Sequence, residues 1–212
     1  AHSGQILARA PPDPDQLDRV FRTIEDRARH LSGFIEGYSQ FAKLPQPQDG
    51  SQQELVKGVI VTMPPPTFYH GHCCNEIAYR LTHHVRTSSA GFVATNDSGV
   101  VIERGPDTVR GPDVAFWSRA RLPELPRKGY PNVVPDLVVE VLSPSDVFTR
   151  VHLKVQEYLS AGVRLVWAID SKREEALVYR PDGSVTRIDA SGALDGEDVL
   201  PGFSCPLADV LK

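Results

Sequence analysis

The sequence lacks the features that define several large classes of protein. Its 212 residues contain no apolar run near the roughly 18 residues of a membrane-spanning helix, and no secretory signal pattern is visible. A glycine-rich phosphate loop and a dinucleotide-binding fingerprint are both missing, which disfavours a kinase, a GTPase or a dinucleotide-dependent enzyme. Internal repeats and low-complexity tracts are also missing. A chain of this length then fits one domain with an appendage.

Cysteine is scarce. The three cysteines, Cys73, Cys74 and Cys205, form an odd set in which two are adjacent. Adjacent cysteines rarely form the disulfides of a secreted scaffold. We therefore expect a soluble protein of the reducing cytoplasm.

The chain has no strong charge of one sign. It carries 23 basic and 27 acidic side chains, so its formal net charge is −4. No global field draws such a chain to nucleic acid, which argues against a histone-like or coating protein. A nuclease with a local basic groove stays compatible with this composition.

The sequence divides into a helical extension and a main domain. Residues 15–44 carry apolar side chains at three- and four-residue steps, which predicts a helix packed on the main domain or on a partner subunit. We place the extension at residues 1–45 and the main domain at residues 54–212. The segment between them, with prolines, a glycine and glutamines, is typical of a linker.

The main domain alternates predicted strands and helices. Its order predicts an α/β fold with a central mixed β-sheet flanked by helices. Helices are predicted at 67–88 and 145–161, and strands at 54–63, 91–95, 99–103, 114–117, 137–142, 163–169, 176–179 and 184–188. The first strand is predicted as one element with a bulge at Gly58.

One carboxylate interrupts the most apolar of these strands. Residues 137–142 are rich in valine and typical of a strand buried on both faces, yet they include Glu140. A charge in such a strand must be paired, protonated or bound to a cation, because its burial alone is costly. Glu140 therefore marks the place where a functional site is expected.

Two other charged residues are expected at the same edge of the sheet. Asp113 opens an apolar strand, and Lys154 lies on the inward face of the next helix, four residues before Tyr158. Taken singly, Asp113 also fits a turn cap, and Glu140 with Lys154 also fits a structural ion pair. Together, two carboxylates and an ammonium suit an anionic substrate and Mg²⁺ or Mn²⁺ better than zinc.

Several strings carry a resemblance to a known family. The main ones are Arg110-Gly-Pro-Asp113-Val-Ala-Phe, Pro135-Asp-Leu-Val-Val-Glu140-Val-Leu-Ser-Pro-Ser-Asp146, Lys154-Val-Gln-Glu-Tyr158-Leu and Gly162-Val-Arg-Leu-Val-Trp167. Shorter matches are Glu54-Leu-Val-Lys-Gly58, His70-Gly71 and Asn96-Asp-Ser-Gly99. From about Glu54 to the C-terminus the chain strongly resembles the Uma2 family of the PD-(D/E)XK, restriction-endonuclease-like superfamily.

The resemblance implies both a fold and an activity. The fold is restriction-endonuclease-like, and the activity is a Mg²⁺- or Mn²⁺-dependent endonuclease that hydrolyses DNA phosphodiester bonds. Asp113, Glu140 and a backbone carbonyl near Val141 are implied to hold the metal. Lys154 is implied to replace the superfamily lysine, which lies two residues after the second acid, where this chain has Leu142.

Accessory residues are less sharply defined. Many family members carry an acid directly after the glycine of the first strand, where this chain has Val59. Glu54 and Glu76 are then the two candidates for a further acid near the metal, and His70 and Tyr158 are candidate accessory residues. Zinc is a weaker candidate, because the group His70, His72, Cys73 and Cys74 lacks a CxxC pair and offers only mixed pairs such as His70 with Cys74.

Two other functions stay open. One is a catalytically silent binding or assembly module, in which the N-terminal helix joins copies of the chain, for example as a homodimer. The other is a hydrolase of a smaller phosphodiester, since a fold does not name a substrate. The intact set of Asp113, Glu140 and Lys154 favours the endonuclease, whereas the acidic net charge is in line with the silent module.

Overall fold

The structure is a computed structural model that describes residues 40–45, 47–143 and 148–212. Residues 1–39, which hold most of the predicted N-terminal helix, lie outside the described residues. Within the described ranges, no helix combines the length and the apolarity needed to cross a bilayer.

Strands dominate the described part of the chain. Its helices are α1 (Phe68–Ser88), α2 (Phe148–Ser160) and α3 (Leu207–Val210). Its strands are β1 (Gln52–Val56), β2 (Val59–Met63), β3 (Gly91–Thr95), β4 (Val100–Glu103), β5 (Thr108–Arg110), β6 (Val114–Ser118), β7 (Leu137–Leu142), β8 (Leu165–Asp170), β9 (Glu175–Tyr179), β10 (Val185–Asp189), β11 (Ala193–Asp195) and β12 (Ser204–Pro206).

A six-stranded mixed sheet forms the centre of the fold, in the order β10-β9-β8-β7-β6-β3. Strands β7 and β8 pair in parallel, as expected for two strands connected through a helix, and the other neighbours pair antiparallel. On β7, Val139 and Val141 pack in the core with α1, whereas Val138 packs on the opposite face with residues of α2. The predicted mixed sheet flanked by helices is confirmed.

The predicted first strand is wrong as a single element. Residues 52–63 form an antiparallel hairpin of β1 and β2, with Gln52 opposite Met63. Lys57 and Gly58 both have positive φ angles, 48° and 76°, which is the conformation of a tight two-residue hairpin turn. Both arms are rich in residues that favour strands, so the pattern concealed the reversal of direction.

A second, four-stranded sheet lies beside the first, in the order β2-β1-β5-β4. Its short strand β5 was not predicted, and it pairs with β1 through Leu55 opposite Val109. Val100 of β4 packs against Ala115 and Trp117 of β6, so the two sheets share a hydrophobic contact. This arrangement brings the end of β5 and the middle of β1 towards the centre of β7.

Helix α1 begins with a side-chain cap. The Thr67 hydroxyl accepts a hydrogen bond from the backbone N–H of His70 at 3.3 Å. We expect Thr67→Ala to lower the free energy of unfolding by about 1 kcal/mol, because that N–H loses its partner. Urea denaturation measures the change. Thr149→Ala, at an exposed position of α2, is the matched control, and an equal loss in both variants would contradict the cap.

Candidate active site

The ammonium group of Lys154 is the centre of a buried charged cluster. Its Nζ lies 2.9 Å from Oε1 of Glu54 and 2.9 Å from Oε2 of Glu140, and it also donates to the Gly111 carbonyl at 3.3 Å. The Lys154 side chain is 16 % exposed and that of Glu54 is 3 % exposed. Because both partners are shielded from water, this contact is far stronger than a surface salt bridge.

Helix α2 supplies three neighbouring side chains to the cluster. Lys154, Glu157 and Tyr158 lie at i, i+3 and i+4 and therefore share one face of the helix. The Tyr158 hydroxyl donates to Oε1 of Glu140 at 2.8 Å. Both carboxylate oxygens of Glu140 thus have a protein partner, and the side chain is held in one orientation on β7.

Arg110 joins the small sheet to helix α2. Its Nη1 lies 2.7 Å from Oε2 of Glu54, and its Nε and Nη2 donate to Oε2 of Glu157 at 2.8 and 2.5 Å. The Gly111 N–H donates to Oε1 of Glu54 at 2.9 Å. The Arg110 side chain is only 12 % exposed. In the structure it is an internal residue that orients two carboxylates.

Asp113 links β6, β7 and α1. Its Oδ2 accepts a hydrogen bond from the Val141 N–H at 2.6 Å, and its Oδ1 lies 3.4 Å from Nε2 of His70. Sγ of Cys74 lies 3.6 Å from Nδ1 and 4.0 Å from Nε2 of the same imidazole. Val141 follows Glu140 in the chain, so Asp113 contacts the backbone next to the second acid.

A loop carrying Asp97 closes one side of the cluster. Gly111 permits this approach, since a Cβ atom at position 111 would lie 2.9 Å from Cβ of Asp97. The Gln52 side chain donates a hydrogen bond to Oδ2 of Asp97. A cleft of about 470 Å³ opens here and is lined in part by Gln52, Asp97, Arg110, Gly111 and Tyr130. The cleft borders the cluster on the side of Asp97 and Arg110.

The carboxylates repel one another. Burial, together with the charges of Asp113 and Glu54, raises the pKa of Glu140 to about 8 against the attraction of Lys154. Burial and the charge of Asp113 likewise raise the pKa of Asp97 to about 6. Burial alone would also raise the pKa of Glu54, but Lys154 and Arg110 hold it below its usual range.

The carboxylates raise the pKa values of Lys154 and His70. Desolvation lowers the pKa of Lys154, but the neighbouring carboxylates Glu140 and Glu54 overcome this and raise it. The hydrogen bond to Asp113 raises the pKa of His70 against the effect of desolvation, and a hydrogen bond to the Val141 backbone adds to the rise. Lys154 therefore carries its proton at neutral pH.

The residues of the site fit a divalent cation. Four carboxylates, those of Glu54, Asp97, Asp113 and Glu140, surround two permanent positive charges, so another cation would relieve their repulsion. Carboxylate and carbonyl oxygens are the ligands that hard divalent ions prefer. One atom each from His70, Cys74 and Asp113 also lies within 4.8 Å of the other two, which adds nitrogen and sulfur donors at the same place.

The structure brings together most of the site residues predicted from the sequence. Asp113, Glu140, Val141, Lys154, Glu54, His70 and Tyr158 all belong to one connected set of contacts. Glu76 lies elsewhere. Its carboxylate is 3.5 Å from Arg80, which also contacts Asp209 in α3. The geometry thus favours Glu54 over Glu76 as the further acid of the site.

The group considered for zinc is split by the structure. His72 contacts the carbonyl of Lys212, whereas the Cys73 side chain points from α1 into the core and is fully buried. Only His70 and Cys74 of that group face Asp113. Sequence reasoning did not single out Asp97 or Glu157 as site residues. Both residues lie within strings that carry the family resemblance. For Glu157, the i+3 spacing from Lys154 was a further indication that its side chain faces the site.

The fold is shared with a solved structure. The structure is similar to the crystal structure of a protein from Anabaena variabilis described as a putative nuclease belonging to DUF820, with a TM-score of 0.70 and 21 % sequence identity. The match covers 82 % of this chain and 96 % of that one. At this identity the likeness establishes the fold, a mixed α/β domain, and not the activity.

The sequence then defines the family. Residues 38–208 match the model of the Uma2 family, which is described as "putative restriction endonuclease". Because this match spans most of the chain, the protein belongs to the Uma2 family, as its motifs predicted. Among curated proteins, no sequence matches the chain.

Proposed function

We propose that this protein is a divalent-metal-dependent endonuclease that hydrolyses phosphodiester bonds of DNA. The observation that carries the proposal is the contact of Lys154 Nζ with Glu140 at 2.9 Å. Asp113 accepts a hydrogen bond from Val141, the residue that follows Glu140 on β7, so the three charged side chains lie at one place. Membership of a family described by nuclease activity supports it. The proposal includes a cytoplasmic location and a homodimer, as expected from the sequence.

Asp113, Glu140 and the carbonyl of Val141 are the proposed metal ligands, for Mg²⁺ or Mn²⁺. A bound divalent ion supplies positive charge to the scissile phosphate and lowers the pKa of water enough for attack on phosphorus. Burial and the charges of Asp113 and Glu54 raise the pKa of Glu140, so a cation bound beside it would favour the ionised carboxylate.

Lys154 is proposed to act as a fixed positive charge. Its raised pKa keeps it protonated, so it donates hydrogen bonds and cannot serve as a general base near neutral pH. An ammonium at this place stabilises the negative charge that develops on the phosphate oxygens during hydrolysis. Glu54 and Tyr158 are positioning residues: Glu54 orients the ammonium, and Tyr158 orients the Glu140 carboxylate.

Cleavage of supercoiled plasmid DNA tests the proposal. The purified chain is expected to nick or linearise the plasmid with Mg²⁺ or Mn²⁺ and to lose this activity in EDTA. Asp113→Ala should reduce cleavage to background, because the alanine removes a proposed metal ligand. Asp182→Ala is the matched control, since Asp182 lies in an exposed turn and contacts Ser184.

The outcomes separate the proposal from its alternatives. Equal cleavage by the native chain and Asp113→Ala would contradict the site. Binding of metal without cleavage of any nucleic acid would favour the silent assembly module. Hydrolysis of bis(p-nitrophenyl) phosphate without cleavage of DNA would favour a smaller phosphodiester as the substrate.

A further inference from the structure

Three side chains of different chemistry converge beside β7. His70 and Cys74 lie one turn apart on α1, so both face Asp113 across the gap between helix and sheet. Nε2 of His70 lies 3.4 Å from Oδ1 of Asp113 and 4.0 Å from Sγ of Cys74. The His70 and Asp113 side chains are each 10 % exposed, so the gap is largely shielded from water.

The separations suit tetrahedral coordination. Bonds of about 2.0 Å from zinc to nitrogen or oxygen, and of about 2.3 Å to sulfur, place tetrahedral ligand atoms about 3.3–3.6 Å apart. The nitrogen–oxygen separation of 3.4 Å already has this value, and the nitrogen–sulfur separation of 4.0 Å needs to shorten by a few tenths of an ångström. The three ligand atoms lie within 4.8 Å of one another, so the sulfur and the oxygen must also move closer when an ion binds.

We propose that His70 Nε2 and Cys74 Sγ are ligands of the ion held by Asp113, so that this site selects a transition-metal ion such as Zn²⁺ or Co²⁺ over Mg²⁺. Imidazole and thiolate favour such ions, whereas Mg²⁺ requires oxygen ligands. The inference rests on the proposed function, since it assigns the class of ion used at the same aspartate. It adds nitrogen and sulfur donors to the oxygen ligands proposed above, so a transition-metal ion, Mn²⁺ included, should bind more tightly than Mg²⁺.

A metal ligand explains Cys74 better than a nucleophile does. Burial raises the pKa of this thiol well above its usual range, and the charges of Asp113 and Asp97 raise it further. A nucleophilic cysteine needs the opposite, an electropositive setting that lowers its pKa. A bound cation reverses this balance, because it replaces the thiol proton and offsets the surrounding carboxylates.

Cobalt spectroscopy of the full chain provides a test that does not depend on cleavage. Co²⁺ added to the metal-free protein is expected to produce tetrahedral d–d bands and a thiolate-to-cobalt charge-transfer band. Cys74→Ser should abolish the charge-transfer band, and His70→Ala should weaken Co²⁺ binding by about 100-fold or more, since loss of even an outer partner costs about 10–100-fold. Millimolar Mg²⁺ should leave the spectrum unchanged.

Neighbouring cysteines provide the controls. Cys73→Ala removes the adjacent thiol, which is buried in the core, and Cys205→Ala removes the third; both variants should keep the charge-transfer band. Circular dichroism establishes that each variant is folded. A band that survives in Cys74→Ser would overturn the inference. So would Co²⁺ binding that has no thiolate band, or that Mg²⁺ displaces at equal concentration.

The inference and the proposed function can fail separately. A Cys74-dependent cobalt band without DNA cleavage under any metal supports the ligand set and contradicts the endonuclease. Cleavage supported equally by Mg²⁺ in the native chain and in Cys74→Ser supports the endonuclease and contradicts the ligand set.

Discussion

Lys154→Met is expected to abolish metal-dependent DNA cleavage and to lower the free energy of unfolding by about 3–5 kcal/mol. Methionine retains most of the volume of the lysine stem but removes the charge between Glu54 and Glu140. Two buried carboxylates then face each other with fewer compensating charges, which accounts for the loss of stability. Plasmid cleavage and urea denaturation measure the two effects.

A double variant separates the two effects. In Lys154→Met/Glu140→Gln the unpaired carboxylate of Glu140 becomes neutral, so much of the stability should return while cleavage stays absent. Lys212→Met is the surface control: Lys212 is 76 % exposed and pairs with Asp209, so its loss should change stability by less than about 1 kcal/mol. Full cleavage by Lys154→Met would remove this residue from the proposed mechanism.

Arg110→Met is expected to lower the free energy of unfolding by a similar amount, about 3–5 kcal/mol. The guanidinium is 12 % exposed and binds Glu54 and Glu157, so its removal takes the cation from Glu157 and leaves Glu54 paired with Lys154 alone. For a chain of this size the melting temperature should fall by about 6–20 °C. Differential scanning calorimetry measures this shift.

Arg187→Met is the matched control for Arg110→Met. Arg187 also forms an ion pair, with Glu175, but its side chain is 69 % exposed and the pair is screened by water. We expect a change of less than about 1 kcal/mol. Similar losses in both variants would show that burial of the Arg110 network contributes little to stability.

The central strand and its charged partners could be predicted from the sequence because each has a local pattern. An acid inside the apolar run of β7 is unusual enough to mark Glu140, and helical spacing places Lys154 on the inward face of α2. The structure shows these two residues in contact at 2.9 Å. Their roles in catalysis and in metal binding stay predictions.

The rest of the site depends on contacts between distant segments. Glu54 and Arg110 are 56 residues apart and meet only because β1 pairs with β5, a three-residue strand too short to show a pattern. The hairpin turn at Lys57 and Gly58 was also missed, since a single glycine between two strand-forming runs equally fits a bulge. An isolated arginine gives no sign of burial, so Arg110 could not be recognised as an internal residue.

Strand β2 illustrates how unevenly the small sheet is anchored. Val59, Ile60 and Val61 are 49, 46 and 39 % exposed, and because consecutive side chains of a strand alternate between faces, the described residues fully cover neither face of β2. Its neighbour β1, by contrast, is tethered through Leu55 and Glu54. Separation of β2 from β1 would therefore expose little new apolar surface and should cost little free energy. The ion pair between Glu54 and Lys154 would remain, because Glu54 belongs to β1.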